Sequence, residues 1–121
     1  MSRKPERAIE IRVGAAADAL DRFEAAWNRV QEGRALRPLE ILTFENLPLL
    51  TKTLSPARWA VLENLKNQDS CSIYELAKRL ARDYKNVHTD VTQLALLGLI
   101  EKDAEGRVGV PWDVLRAEFR L

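Results

Sequence analysis

A chain of 121 residues suits one compact domain with a small appendage. Apolar residues at 46% supply a core, and charged residues at 31% supply a hydrated surface. A net charge of +1 excludes the global basic signature of a highly cationic nucleic-acid binder, so any charge that meets an anionic partner must be local.

Residues 1–8 are polar. Ile9-Glu10-Ile11-Arg12-Val13 alternates strictly, which predicts a short half-buried strand, and Gly14 breaks it. Residues 15–32 have the most regular helical pattern of the chain. Ala16, Leu20, Phe23, Trp27 and Val30 recur at spacings of four, three, four and three, a narrow seam of the kind that packs helix on helix. Gly33 ends that helix, and Leu39 to Phe44 reads as a second strand. The first third is therefore strand, helix, strand. Two short strands are marginal alone, so this unit needs a partner surface. Either it packs on the rest of its own chain, or it pairs with a second copy through Ile9, Ile11, Leu20, Phe23, Trp27 and Val30.

Asn46 or Glu45 starts a short helix that tolerates Pro48 in its first turn. Ser55 then caps a further helix with Pro56 at its first position. Trp59, Leu62 and Leu65 line one side of it, with Val61 alongside. Residues 67–70 form a loop.

The most informative stretch is 72–106. Ser72 caps a helix, and Glu75 three residues on completes a capping box. Ile73, Leu76, Ala77 and Leu80 form its apolar face. The pattern breaks at Ala81-Arg82-Asp83 and resumes in a new phase with Tyr84, Val87, Val91, Leu94 and Leu97. Asp83 stands where a cap for this second helix belongs, and Gly98 ends it. The opposite side carries Lys85, Asn86, His88, Thr89, Thr92 and Gln93, side chains suited to base edges and phosphates. Leu99-Ile100-Glu101-Lys102, a turn at Asp103-Ala104-Glu105-Gly106, and a return strand Arg107-Val108-Gly109-Val110 make a hairpin. Pro111 stops it, and Trp112, Val114, Leu115 and Phe119 suggest a short closing helix.

Helix, sharp turn, helix and hairpin in this order predict a winged helix-turn-helix. In such a unit the second helix enters the major groove and the hairpin is the wing. Candidate DNA contacts are Arg82, Tyr84, Lys85, Asn86, His88, Thr89, Thr92 and Gln93, with Arg107 near the wing tip and Lys102 beside it. Arg58 and Arg79 are further candidate phosphate contacts. Each of these also reads as an ordinary solvated surface residue. From Lys78 to Gln93 four basic residues face two acids, a local surplus of +2. Asp90 on the second helix either forms a salt bridge or restrains non-specific binding.

One cysteine, Cys71, excludes an intramolecular disulfide. One histidine, His88, excludes a Cys/His zinc site within one chain. Cys71 precedes a helix N-terminus, which favours a reactive thiol, but no second cysteine resolves it. No Gly-rich phosphate loop, nucleophile elbow or carboxylate pair is present, so neither enzymatic activity nor a cofactor or metal is expected. No apolar run approaches a membrane span, and SRKPER lacks the apolar core of a leader, so a reduced, cytoplasmic protein is expected.

ELAKRL, NVHTDVTQL and LGLIEKD together resemble winged-helix bacterial regulators of the MarR-like type. With LSPARWAVLENL upstream, KNVHTDV in the second helix and VPWD after the wing, the chain more narrowly resembles the predicted DNA-binding family that includes TumA-type antitoxins. The likeness covers residues 54–113 well and the first third weakly. That pattern commonly has a basic residue where this chain has Thr89. The resemblance implies a repressor of its own operon and a cognate toxin as a further partner.

The expected fold is α+β, mainly α. Residues 1–50 form a strand-helix-strand extension for dimerisation or partner binding, and 51–121 a winged helix-turn-helix. The expected function is a homodimeric, sequence-specific transcriptional repressor on an inverted repeat of double-stranded DNA, and the antitoxin of a toxin–antitoxin pair. The rival is a winged-helix protein–protein interaction module that does not bind DNA.

Overall fold

The computed structural model describes residues 5–14 and 40–119. Within them the chain is α+β, with four helices and two three-stranded sheets. In chain order the elements are β1 (Ala8–Val13), β2 (Ile41–Phe44), α1 (Leu47–Thr53), α2 (Pro56–Asn67), β3 (Cys71–Ser72), α3 (Ile73–Leu80), α4 (Tyr84–Leu96), β4 (Glu101–Lys102), β5 (Arg107–Gly109) and β6 (Val114–Ala117). The helix expected over 15–32, with Leu20, Phe23, Trp27 and Val30, lies outside the described residues.

The first sheet has the order β2-β1-β6, and both pairings are parallel. Its central strand is the alternating segment of the N-terminus. Ile9 and Ile11 point inward, each 4% exposed, while Glu10 and Arg12 point away and pair at 2.8 Å. Ile9 packs in the main core with Val61, Leu62, Leu76 and Leu94. Ile11 packs in a second cluster with Phe44 and Leu50. This corrects the assignment of Ile9 and Ile11 to a dimer interface, because one chain already buries both. The sheet also joins residues on both sides of the boundary expected at residue 50, so the two units share a sheet and a core.

The closing segment is a strand, not the helix expected from the spacing of Trp112, Leu115 and Phe119. β6 runs beside β1 from Ala8↔Val114 to Ile11↔Ala117. Pairing with β1 overrides the helical spacing, because a central strand buried on one face needs a neighbour on each side. Its entry is fixed by Arg7. The Arg7 carbonyl accepts from the amides of Asp113 (2.7 Å) and Val114 (3.2 Å), and the Arg7 amide donates to Asp113 Oδ2 (2.9 Å). Trp112 is buried whereas Phe119 is exposed, so they do not share a helical face.

The helices start where the caps predict. Asn46 Oδ1 accepts from the Leu49 amide (2.8 Å), Ser55 Oγ from Arg58 (3.3 Å) and Ser72 Oγ from Glu75 (3.1 Å). Val61, Leu62 and Leu65 of α2 meet Ile73, Leu76 and Ala77 of α3 and Val87, Val91 and Leu94 of α4 in one core. Trp59 departs from the expected face of α2 and is 42% exposed. The second sheet is antiparallel, in the order β3-β5-β4, with Cys71↔Val108 and Lys102↔Val108 in register. Its buried Val108 seats the hairpin on the three helices.

Candidate nucleic-acid interface

The turn between α3 and α4 places the second helix. α3 ends at Ala81 in the left-handed region (φ 51°), and the Arg82 amide closes back onto the Ala77 carbonyl at 3.0 Å. This is the glycine-type helix ending made by an alanine. Asp83 stands at the N-cap of α4, but its side chain makes no capping hydrogen bond, which corrects the expectation that it caps. At the other end Gly98 has φ +80°. The Leu99 amide donates to the Leu94 carbonyl (3.0 Å), so the chain leaves α4 through the glycine ending that the sequence predicts.

The buried flank of α4 carries Val87, Val91 and Leu94. Lys85, Asn86, His88, Thr89, Thr92 and Gln93 are all exposed. Thr89 Oγ1 donates to the Lys85 carbonyl within the helix (3.0 Å), and the His88 ring lies 5.9 Å from that of Tyr84. Among the described residues, the side chains of Lys85, Asn86, Thr92 and Gln93 have no hydrogen-bond or ion-pair partner, so their donors and acceptors remain available to a ligand. Tyr84 does not continue the apolar face and is 48% exposed at the start of this flank. Leu96, 76% exposed, follows at its far end.

Arg82 is placed differently from these. Its Nη2 lies 2.8 Å from Asp90 Oδ2, while Arg58 Nε of α2 donates to Asp90 Oδ1 at 3.2 Å. The Asp90 side chain is only 13% exposed. The Arg82 contact is short but poorly aligned, since Asp90 Oδ2 and Arg82 Nη1 are buried without a hydrogen-bond partner among the described residues. Arg58 Nη1 also donates to the Thr53 carbonyl (3.1 Å). Arg58 and Arg82 are thus both tied to Asp90 of α4, unlike the candidate contacts on the outer flank. Asp90 forms a salt bridge, as one of its two expected roles had it.

The hairpin stands beside the polar flank. His88, Thr92, Ala95 and Leu96 of α4 and Lys102 and Val108 of the hairpin line a cleft of about 300 Å³. Asp103 Oδ1 holds the turn by accepting from the amides of Glu105 and Arg107, both at 2.9 Å, and Gly106 closes it at φ +81°. Arg107 is exposed, and its Nη2 donates to the Ser70 carbonyl over a long 3.4 Å. Arg79 Nη1 donates to the Asp69 carbonyl at 2.8 Å.

The HVO_A0114 family model matches residues 53–117. The chain belongs to the HVO_A0114 family. The HVO_A0114 span takes in the helix pair, the hairpin and β6, and leaves out β1 and β2. No curated protein and no solved structure matches the chain.

One feature of this HVO_A0114 chain lies outside the sequence reading: Tyr74 on α3 is 61% exposed, with the Lys78 ammonium 4.7 Å above its ring. Cys71, considered above as a reactive thiol, is buried in β3. Burial pushes its thiol pKa up, against the opposing pull of Arg79 and Arg107, and this disfavours the thiolate that a redox sensor needs.

Proposed function

We propose that the chain is a sequence-specific regulator of transcription that binds double-stranded DNA, with α3 and α4 as a helix-turn-helix and the β4–β5 hairpin as its wing. The observation that carries this reading is the outer flank of α4, where Lys85, Asn86, Thr92 and Gln93 are exposed and unpartnered among the described residues. Lysine reaches guanine acceptors or phosphate, and the two amides match adenine. Lys102 and Arg107 flank this face from the hairpin, where a wing meets the backbone.

The regulator acts as a homodimeric repressor on an inverted repeat, one α4 per half-site. Its pairing surface then rests on the Leu20, Phe23, Trp27 and Val30 seam. The resemblance of residues 54–113 extends the proposal to an antitoxin that represses its own operon and binds a cognate toxin. It is a binding role in the cytoplasm with no catalytic step. Among the described residues, no helix is long and apolar enough to cross a membrane.

A second reading, a protein-docking module without DNA binding, draws on Leu96, whose 76% exposure at the end of the polar flank is unusual for a surface that faces DNA. A mobility-shift titration on the DNA upstream of the gene separates the two. The DNA reading expects a complex whose affinity falls steeply as salt rises. No complex at low salt favours docking.

A further inference from the structure

The polar flank and the hairpin bind one duplex only if the angle between them is fixed. The hairpin cannot fix it alone. β4 has two residues and β5 three, and a ribbon that short is marginal without outside support. Part of that support is β3, which pairs with β5, and Val108 in the core; the rest lies at the hairpin's base. Gly98, where the chain leaves α4, offers its carbonyl to Trp112 Nε1 at 2.8 Å. Trp112 belongs to the segment that follows the hairpin, so this one hydrogen bond ties the entry of the hairpin to its exit. The indole is 6% exposed and packs in the main core.

Arg7 braces the outer side of that ring. Its guanidinium carbon sits 4.8 Å from the ring centroid, within cation–π range. The same guanidinium lies 3.8 Å from Glu101, the first residue of β4, and 3.7 Å from Glu40 beside β2. Its backbone grips Asp113, the next residue after Trp112. The segment leading into β1 thus touches both ends of the hairpin base, although it lies outside the span that matches the family model.

We propose that Trp112, braced by Arg7, is a positioning residue for DNA binding. It sets the hairpin against α4 and so fixes the cleft between Lys102 and the His88–Thr92 edge. This rests on the DNA reading above. Neither residue belongs to the polar flank of α4.

The test uses the full chain and two variants. Trp112→Phe keeps an aromatic ring in the core and removes the indole donor. Arg7→Ala removes the brace from a half-exposed position and leaves its backbone bonds. Hydrogen exchange followed by mass spectrometry reads residues 99–110 in the absence of DNA. Trp112→Phe is expected to speed exchange there about tenfold, and Arg7→Ala about threefold, while α2 is unchanged. Fluorescence anisotropy then reads affinity for the upstream DNA. A loss of about tenfold is expected for Trp112→Phe, and it should largely vanish when Lys102→Ala and Arg107→Ala are already present, because the hairpin then has no contacts left to misplace.

Unchanged hairpin exchange in both variants, or faster exchange spread evenly over the chain, overturns the proposal. So does an affinity loss of equal size in both backgrounds. If the unaltered chain binds no DNA, the DNA reading fails on that result, and hairpin exchange alone decides whether Trp112 and Arg7 hold the hairpin.

Discussion

The two flanks of α4 treat charge in opposite ways. On the inner flank Asp90 gathers Arg58 and Arg82, and all three side chains sit at most one-third exposed. On the outer flank Lys85 stands in solvent with no ion-pair partner among the described residues. A count along the sequence gives the region a surplus of +2, but that surplus does not lie where the count suggests. Arg82 is tied to Asp90, so Lys78, Arg79 and Lys85 are the cations of that stretch without an acid partner among the described residues, and Lys102 and Arg107 join them from the hairpin. Which basic residues meet a ligand is therefore set by where the acid sits, not by how many bases surround it.

Four perturbations break or sharpen this contrast. Leu94→Ala empties a fully buried site on the inner flank and should cost about 3 kcal/mol in urea denaturation; a loss under about 1 kcal/mol would mean that α4 is not seated as described. Asp90→Asn leaves two guanidinium groups without their counter-charge in a half-buried site, and a loss of about 1.5 kcal/mol is expected. It should also strengthen binding to random-sequence DNA and steepen its salt dependence, since Arg58 and Arg82 are released. Weaker binding to random DNA would place Asp90 on the wrong side of the comparison. Ala81→Gly relieves a left-handed alanine between α3 and α4 and should stabilise by about 0.5–1 kcal/mol, read as a higher urea midpoint at unchanged slope.

The smallest effect is one of pH. The Lys66 ammonium and the Arg7 amide hold the Asp113 carboxyl below the usual carboxylate range. A carboxyl whose folded pKa is depressed contributes stability above its unfolded pKa and loses it as pH falls through the folded one. Stability measured below about pH 4 should therefore fall less in Asp113→Asn than in the unaltered chain, while Lys85→Ala leaves the acid limb unchanged.

The helix pair and the hairpin were legible in the sequence because their signals are local. Ser55, Ser72, Gly98 and Gly106 act within a few residues of themselves, and the phase break at Ala81-Arg82-Asp83 marks a turn directly. The exposed polar face of α4 follows from helical spacing alone. What the sequence hid depends on distant partners. Trp112, Leu115 and Phe119 are spaced like a helix, and only β1, a hundred residues earlier, makes the segment a strand. Ile9 and Ile11 read as a sheet face awaiting a partner, but the faces that cover them come from the helical core and from α1. The Arg58–Asp90 contact joins residues 32 apart, and no periodicity reports it.

The most direct test of the central claim is one variant measured two ways. Lys85→Ala combined with Asn86→Ala changes two exposed side chains of α4 that have no partners among the described residues. The account predicts unfolding free energy within about 0.5 kcal/mol of the unaltered chain. It also predicts at least a tenfold loss of anisotropy-measured affinity for the upstream DNA, of the order expected when two base or phosphate contacts go. Equal affinity in the two proteins, with the fold intact, would contradict it.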